Sequence, residues 1–291
     1  LFATQDGTIL GWVQRAAPPQ NTLAPIVIST PGAVYTGLAI AQTTSGVRLY
    51  AANLFNARID AFSGTLSPLT ANFLDPVLPA GFAPFNIRVL GGRVLVAYGL
   101  RNTGGTNVLT GPASGIIDAF SLDGNFLSRL VTGGALNAPW GIALAPANFG
   151  PLSGALLVSN FGDGHITAFN PTPGAFLGAL TDATGSPITI PGIRGIEFGN
   201  NLGNQPANTL FFCGSSAAVS GQFGRIDAIA CYANCDGSTA APVLNVNDFT
   251  CFLNRYAYSD PYANCDNSTA PPFLNVNDFS CFLNKYAAGC P

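Results

Sequence analysis

Alternating apolar and polar positions recur along the first three quarters of the chain, in pairs of short stretches that flank a polar turn. Two clear examples are LYAANLFNARIDAF (Leu49 to Phe62) and LLVSNFGDGHITAF (Leu156 to Phe169). The stretches LFATQDGTILGW (Leu1 to Trp12) and LFFCGSSAAVSGQFGRIDAI (Leu210 to Ile229) follow the same plan. Alternation on both sides of a turn predicts two antiparallel strands with a buried face. Each stretch is therefore predicted to form a β-hairpin.

A further apolar stretch precedes most of these hairpins. These stretches are YTGLAIA (35–41), PFNIRVL (84–90), PWGIALA (139–145) and IRGIEFG (193–199). Three strands and often a shorter outer one, recurring at blade-sized intervals, are typical of a β-propeller. Five units are visible, and the first lacks its innermost strand. Upstream residues, another strand of the ring or a neighbouring molecule would cover the edge left open.

One isoleucine recurs in every unit, with an aromatic or aliphatic residue three positions later. The pairs are Ile9 and Trp12, Ile59 and Phe62, Ile117 and Phe120, Ile166 and Phe169, and Ile226 and Ile229. These repeated positions are predicted to form the core between blades. The residue before each isoleucine varies and is predicted to face solvent: Thr8, Arg58, Ile116, His165 and Arg225.

The composition narrows the class of protein. Only 9% of residues are charged and 48% are hydrophobic, with 34 glycines and 22 prolines, which argues against a helical protein. No apolar run approaches the ~18 residues of a membrane-spanning helix, so no membrane span is expected. The formal net charge is -3 and the 11 Lys and Arg residues form no cluster, which argues against a nucleic-acid partner.

All seven cysteines stand at or after Cys213, and six of them lie in or beside two near-copies of one segment. This concentration predicts a disulfide framework, an oxidising compartment, and a secreted, extracellular or cell-surface location. Leu1 opens without a signal peptide, which fits a mature or trimmed chain. Two disulfide pairings respect the symmetry of the repeats: Cys235–Cys251 with Cys265–Cys281, or the two pairs that cross between the copies. A disulfide between Cys231 and Cys290 would join the two ends of the repeat segment, and Cys213 would remain a buried free thiol.

The two near-copies are ANCDGSTAAPVLNVNDFTCFLNRYA (233–257) and ANCDNSTAPPFLNVNDFSCFLNKYA (263–287). In the first, Phe249, Phe252, Leu253 and Tyr256 stand at i, i+3, i+4 and i+7, which predicts an amphipathic helix. The second copy repeats the pattern, and the two helices are expected to pack together. Asn247 or Asp248 is predicted to cap the first helix.

The polar part of each copy matches a calcium-binding EF-hand loop, which places ligand oxygens at positions 1, 3, 5, 7, 9 and 12. Each loop is about three residues longer than usual, in TAAPV or TAPPF, and Gly237 and Asn267 share a turn position that needs a positive φ. Two structural Ca²⁺ ions of extracellular-grade affinity, weaker than ~10 µM, are predicted. The alternative interpretation is that these stretches, rich in Asn, Asp and Ser, form turns that bind no metal. The predicted ligands are Asn234, Asp236, Ser238, Asn245 and Asp248, with Asn264, Asp266, Ser268, Asn275 and Asp278 in the second copy.

Two resemblances to known families agree with these patterns. FATQDGTILGW, LPAGFAPFNIRVLGGRVLVAYG and the long stretch from GGALNAPWGIALAPANF to TDATGSPITIPG resemble uncharacterised secreted bacterial β-propeller proteins over nearly all of residues 1–229. That family often carries C-terminal sorting or anchoring signals. Its members have a further N-terminal part ahead of FATQDG, so the resemblance implies that this chain is shortened by something over one blade and that the intact protein has six blades. The family offers no established activity.

Residues 231–291, which end in AAGCP, resemble a dockerin. Dockerins are calcium-dependent modules that plug into a partner domain called cohesin. The resemblance therefore implies a protein partner, and the ten loop residues named above as its calcium ligands. The longer loops and the presence of only two carboxylates in each depart from the usual dockerin pattern.

The fold class predicted is mainly β: a β-propeller over residues 1–229 and a small α-helical, dockerin-like, EF-hand-like module over 231–291. The predicted function is a secreted, non-enzymatic interaction protein that docks to a partner or to its own copies, as a homo-oligomer or a head-to-tail filament.

The alternative is a lactonase-type hydrolase, tethered by the tail, with a metal in the central channel. Glu197, Asn53, Asn86 and Asn160 are its candidate ligands. The single histidine, His165, lacks a nucleophile context and is not expected to act as an acid or base.

Overall fold

The computed structural model describes residues 1–13, 23–216, 219–228, 231–238 and 242–290. The chain divides into two compact units. The first comprises Leu1–Leu144, Ala155–Phe198 and Leu210–Arg225, and the second comprises Ala145–Gly154, Gly199–Thr209 and Ile226–Pro291. The second unit thus includes two loops between propeller strands as well as the C-terminal segment.

The fold is mainly β, with a five-bladed propeller built from five sheets that follow one another along the chain. The first blade contains β1 (Phe2–Ala3), β2 (Thr8–Leu10) and β3 (Ile26–Ser29). The second contains β4 (Tyr35–Thr43), β5 (Gly46–Asn53), β6 (Arg58–Ser63) and β7 (Pro68–Leu69). The third contains β8 (Phe82–Leu90), β9 (Arg93–Arg101), β10 (Val108–Leu109), β11 (Gly115–Phe120) and β12 (Phe126–Thr132).

The fourth blade contains β13 (Pro139–Leu144), β14 (Leu156–Asn160), β15 (Ile166–Phe169) and β16 (Phe176–Ala179). The fifth contains β17 (Ile193–Phe198), β18 (Thr209–Ser216) and β19 (Val219–Asp227). Four predicted apolar stretches correspond to β4, β8, β13 and β17, which each begin a sheet. In the first sheet β1 pairs with β2 alone among the described strands, as expected for a blade without its innermost strand.

The propeller core lies between consecutive blades. Ile9 and Ile28 of the first blade pack with Leu49 and Phe62 of the second, and similar layers join the second blade to the third and the third to the fourth. The predicted core positions are confirmed for Ile9, Ile59, Ile117, Ile166, Phe62, Phe120 and Phe169, all at most 4% exposed. Ile229 lies outside the described residues.

Two predictions about the propeller core are wrong. Trp12 is 43% exposed, because it stands just beyond the end of β2 rather than inside the sheet. Ile116, predicted to face solvent, is 1% exposed because every residue of β11 is buried. A strand covered by a neighbouring blade on each face does not alternate between core and solvent.

Each copy of the C-terminal repeat contributes one helix, α1 (Val246–Ala257) or α2 (Val276–Ala288). The N-cap of α1 is Asn245, not Asn247 or Asp248 as predicted. The Asn245 side chain accepts a hydrogen bond from the Asn247 N–H, and the Asp248 carboxylate accepts one from the Asn245 N–H. This capping box satisfies amides that the first helical turn leaves free, and Asn275 builds the same box for α2.

The two helices share a small aromatic core. The rings of Phe252 and Phe282 stack at 4.1 Å between centroids, and both side chains are fully buried. Tyr232 and Tyr262 stack at 4.7 Å, and each hydroxyl donates to the backbone carbonyl of the other residue. Among the described residues no helix is long and apolar enough to span a membrane.

Candidate functional sites: the duplicated loops and the propeller channel

The five predicted ligands of the first loop are joined by a chain of hydrogen bonds. The Asn234 side-chain amide donates to the Ser238 carbonyl (2.8 Å), and the Ser238 N–H donates to the Asp236 carboxylate (2.8 Å). The Asp236 and Asn245 N–H groups donate to the two oxygens of Asp248, at 3.2 Å and 2.9 Å. The loop therefore brings positions 1, 3, 5, 9 and 12 of the predicted site into one neighbourhood.

The second loop repeats these contacts. Asn264 donates to the Ser268 carbonyl (2.9 Å), and the Ser268 N–H donates to Asp266 (2.9 Å). The N–H groups of Asp266 and Asn275 donate to Asp278 at 3.2 Å and 2.8 Å. Gly237 has φ +69° and Asn267 has φ +54°, which confirms the predicted left-handed turn position in both loops.

The loops differ at position 1. In the second loop the Asn264 Oδ1 accepts from the Ser268 N–H at 2.9 Å. In the first, the Asn234 Oδ1 is buried and has no hydrogen-bond partner in the described part of the chain. A buried acceptor without a partner costs free energy, so among the described atoms of the loops this oxygen is the one whose environment calls for an additional group.

Hydrogen bonds lower the pKa values of two loop carboxylates, Asp236 and Asp278. The pKa of Asp236 lies below its ordinary value, chiefly because the Ser238 N–H donates to it. Burial raises the pKa of Asp278, but the N–H groups of Asn275, Asp266 and Cys265 outweigh burial and lower it overall. Across the described residues no three His, Cys, Asp or Glu side chains form a metal-binding group, so a cation here would rely on amide, hydroxyl and carbonyl oxygens beside the carboxylates.

Three disulfides hold the module together. They join Cys235 to Cys251, Cys265 to Cys281, and Cys231 to Cys290. The structure thus selects the pairing within each copy over the crossed pairs and confirms the closure of the ends. Cys213 is free but exposed, so its predicted burial is wrong. Its neighbours Phe212 and Gly214 on β18 face the core, and Cys213 points to the other side.

Glu197 lies on the inner strand β17, is 57% exposed, and forms an ion pair with Arg88 of β8. These residues line a cavity of about 310 Å³ together with Asn86, Trp140 and Phe211. Burial lowers the pKa of the Arg88 guanidinium, and its Nε is buried without a partner among the residues described. The Glu197 carboxylate, the candidate metal ligand, is therefore already paired with a positively charged side chain of the protein, Arg88.

The three asparagines considered as channel ligands have structural partners. Asn53 accepts from the Val34 N–H (3.3 Å) and donates to Asp60. Asn160 accepts from the Asn137 N–H (3.1 Å) and donates to the Ala135 carbonyl. These two side chains hold equivalent turns of two blades. Asn86 donates to the Trp140 carbonyl (2.7 Å) and remains at the cavity wall.

His165 lies beside Asp163, with 3.6 Å between Nδ1 and the carboxylate, and is partly exposed. Its own N–H donates to Asp163 as well, which closes a turn between β14 and β15. The Asp163 carboxylate also accepts from the Asn137 side chain. The local contacts of His165 are those of a turn residue.

Comparison of the sequence with known proteins finds relatives that are themselves uncharacterised. No protein-family model matches the chain. Among uncharacterised proteins of Acanthamoeba polyphaga mimivirus, one is 36% identical over 169 residues, with 56% of this chain and 44% of that protein covered. Another is 32% identical over 203 residues, covering 67% of this chain and 37% of that protein. The chain thus spans less than half the length of these relatives.

Solved structures give distant matches. A gluconolactonase of Xanthomonas campestris superposes with a TM-score of 0.47 and 16% identity, covering 70% of this chain and 62% of that one. A Bacteroides caccae protein of unknown function gives a TM-score of 0.40 and 15% identity, with 70% and 65% covered. Neither similarity is close enough to support an argument about activity.

Proposed function

We propose that this chain is a secreted, non-enzymatic interaction protein, in which the propeller is a platform and the C-terminal repeats form a calcium-dependent docking module. Assembly would take place at the cell surface or in a head-to-tail extracellular filament. The dockerin resemblance and the matching hydrogen bonds of the two loops support this function. The propeller fold by itself indicates no activity, because propellers carry many unrelated functions.

The unpartnered Asn234 Oδ1 carries the proposal. It occupies the first ligand position of a loop whose Asp236 is ionised and whose Asp248 fixes the backbone. A Ca²⁺ ion would give that amide oxygen a partner and balance the loop carboxylates. The donor set, oxygens from Asn, Asp and Ser, is one that Ca²⁺ accepts. In the second loop, Asn264 would exchange its bond from Ser268 for the ion.

Exposed apolar side chains at matching places on the two helices offer a surface for a partner. Val246 and Val276 are each 72% exposed, and Leu253 and Leu283 are 41% and 40% exposed. Exposed apolar side chains in register on two helices are typical of a protein contact site. The partner would be a cohesin-like domain or another copy of the chain, and a contact between unlike surfaces of copies would build a filament.

A lactonase-type hydrolase with a channel metal is the second candidate, favoured by the cavity around Glu197. Its difficulty is the Arg88 guanidinium, which pairs with that carboxylate and repels a bound cation. Hydrolysis of simple lactones with added divalent metal, abolished by Glu197→Gln, would favour this candidate.

Chelation tests the calcium module. The described α-helices, α1 and α2, both lie in the second unit, so circular dichroism at 222 nm follows the module. Both tryptophans, Trp12 and Trp140, lie in the first unit, so their fluorescence follows the propeller. At a hundredfold excess over Kd, Ca²⁺ should stabilise the module by about 2.7 kcal/mol for each ion bound, as measured by the helical signal, with the tryptophan signal unchanged.

The paired variant Asp236→Asn with Asp266→Asn should lose this stabilisation. Asp260→Asn is the matched control, because Asp260 belongs to the same unit but lies outside both loops. Equal melting of the helices with Ca²⁺ and with chelator would refute the calcium proposal. Light scattering with Ca²⁺, compared for the wild type and for Val246→Lys with Val276→Lys, tests docking between copies.

A further inference from the structure

The channel cavity has the shape and chemistry of a small-ligand site. Three neighbouring inner strands, β8, β13 and β17, contribute its walls, and its volume of about 310 Å³ lies within the range of protein ligand pockets. Gly195 stands in the wall, and a Cβ there would lie 2.9 Å from the Cys213 Sγ. Glycine thus keeps this side of the cavity open.

The charged side chains of the cavity carry no net charge together. Arg88 and Glu197 pair with each other, so together they add no net charge. The Arg88 Nε remains a buried donor for which the described residues supply no acceptor. The rest of the pair is accessible, since the Arg88 side chain is 35% exposed and the Glu197 side chain is 57% exposed. A ligand that offers an acceptor to the guanidinium and a donor to the carboxylate could therefore contact both without separating the pair.

Aromatic rings form the apolar part of the site. The Trp140 Nε1–H donates to the Thr36 carbonyl (3.1 Å), which fixes the indole ring at the cavity wall. Phe211 and Phe223 stack at 6.0 Å with 16° between their planes, and Phe223 is 75% exposed. Parallel, accessible rings of this kind give a flat apolar surface on which another ring can lie.

We propose that this cavity binds a neutral carbohydrate, with one sugar residue seated between the Arg88–Glu197 pair and the aromatic wall. Sugar hydroxyls both donate and accept, so neighbouring hydroxyls match the carboxylate and the guanidinium at once. The C–H face of the sugar ring covers the phenylalanine surface. A charged ligand fits less well, because the paired side chains leave no charge to balance it.

A glycan array probed with the full chain tests the proposal, followed by titration calorimetry with the neutral oligosaccharides that bind. Chelator in the buffer keeps the calcium module out of the measurement, and binding is expected to persist there. Phe223→Ala should weaken binding about 2- to 13-fold, since an aromatic contact contributes about 0.5–1.5 kcal/mol. Phe223 is exposed, so this variant should fold.

Phe176→Ala is the matched control, because Phe176 is 56% exposed on β16 and does not line the cavity. It should bind as the wild type does. Glu197→Gln should weaken binding about tenfold, by loss of a charged acceptor. Absence of neutral-glycan binding at millimolar concentration, a preference for acidic sugars or amino acids, or an unchanged affinity in Phe223→Ala would each overturn the proposal.

Discussion

The propeller and the C-terminal repeat segment solve the same stability problem by different means. Successive blades bury broad layers of aliphatic and aromatic side chains, and the only cysteine before residue 231 is the free Cys213. Residues 231–290 have one small core around Phe252 and Phe282, and three disulfides. A segment of about 60 residues buries too little apolar surface to rely on packing alone. Crosslinks are therefore expected to matter in one region and not in the other.

Reduction of the disulfides should produce the largest difference between the two regions. Loss of a native disulfide from a small secreted domain costs about 2–5 kcal/mol, so loss of all three should unfold the repeats. Under reducing conditions the helical signal at 222 nm should disappear while tryptophan fluorescence is retained. Cys213→Ser, which removes no crosslink, is the control. A reduced protein that keeps its helices would show that packing alone holds the module.

Truncation of matched core phenylalanines should give the next largest effect. Phe282→Ala and Phe120→Ala each remove a fully buried ring, at a cost of about 3–5 kcal/mol. Phe282→Ala should abolish the helical transition, because the small module has little stability to lose. Phe120→Ala should lower the midpoint of the tryptophan transition and leave a folded propeller. Equal responses of the two signals to either variant would contradict independent stabilisation.

A buried carboxylate should give the propeller a pH dependence that the repeats lack. Asp118 is fully buried, accepts from the Arg129 guanidinium at 3.2 Å, and shares that guanidinium with Asp75. Burial, reinforced by the charge of Asp75, raises the pKa of Asp118 to about 7. The unfolded pKa is about 4, so the folded state binds the extra proton between about pH 4 and 7. Propeller stability should therefore fall as pH rises through this window.

Denaturant titrations at several pH values, read by tryptophan fluorescence, check this dependence. Asp118→Asn should flatten it, since an amide does not titrate. The helical signal should not follow the same window, because the pKa of Asp278 is lowered rather than raised. A propeller whose stability rises from pH 5 to pH 7 would contradict the prediction.

Loss of a helix cap should give the smallest effect. Asn245→Ala and Asn275→Ala each remove one side-chain acceptor from a capping box and should destabilise the repeats by about 1 kcal/mol. Asn284→Ala, at an exposed position inside α2, serves as the control and should not destabilise. Chelator-containing buffer separates the cap from any role of these asparagines in the loops. If Asn245→Ala and Asn275→Ala leave the stability of the repeats unchanged, the disulfides rather than the caps fix the helix ends.

The strands and helices that could be predicted from the sequence are those whose apolar and polar positions repeat within a short stretch of the chain. Inner strands such as β8 and the α2 helix follow from periodicity, and Ile117 follows from its recurrence in the repeats. Ile116 was misjudged because coverage of both faces of a strand depends on the neighbouring blade. The cap at Asn245 was missed, although the spacing Asn245 to Asp248 is a capping-box signature.

The remaining site features depend on contacts between distant parts of the chain. Arg88 and Glu197 are two blades apart in sequence, and only the ring arrangement of inner strands brings them together. The unpartnered Asn234 Oδ1 depends on how the first loop closes, since the same residue type at Asn264 finds Ser268. Periodicity carries no information about either feature.

The disulfide between Cys231 and Cys290 gives the repeat segment a mechanical property. It places the Cα atoms at the two ends of the segment 5.1 Å apart, although 59 positions separate them in sequence. A pulling force applied across these ends passes through the covalent bond and bypasses both loops and both helices. Such a force would therefore leave the loops and helices between Cys231 and Cys290 unextended.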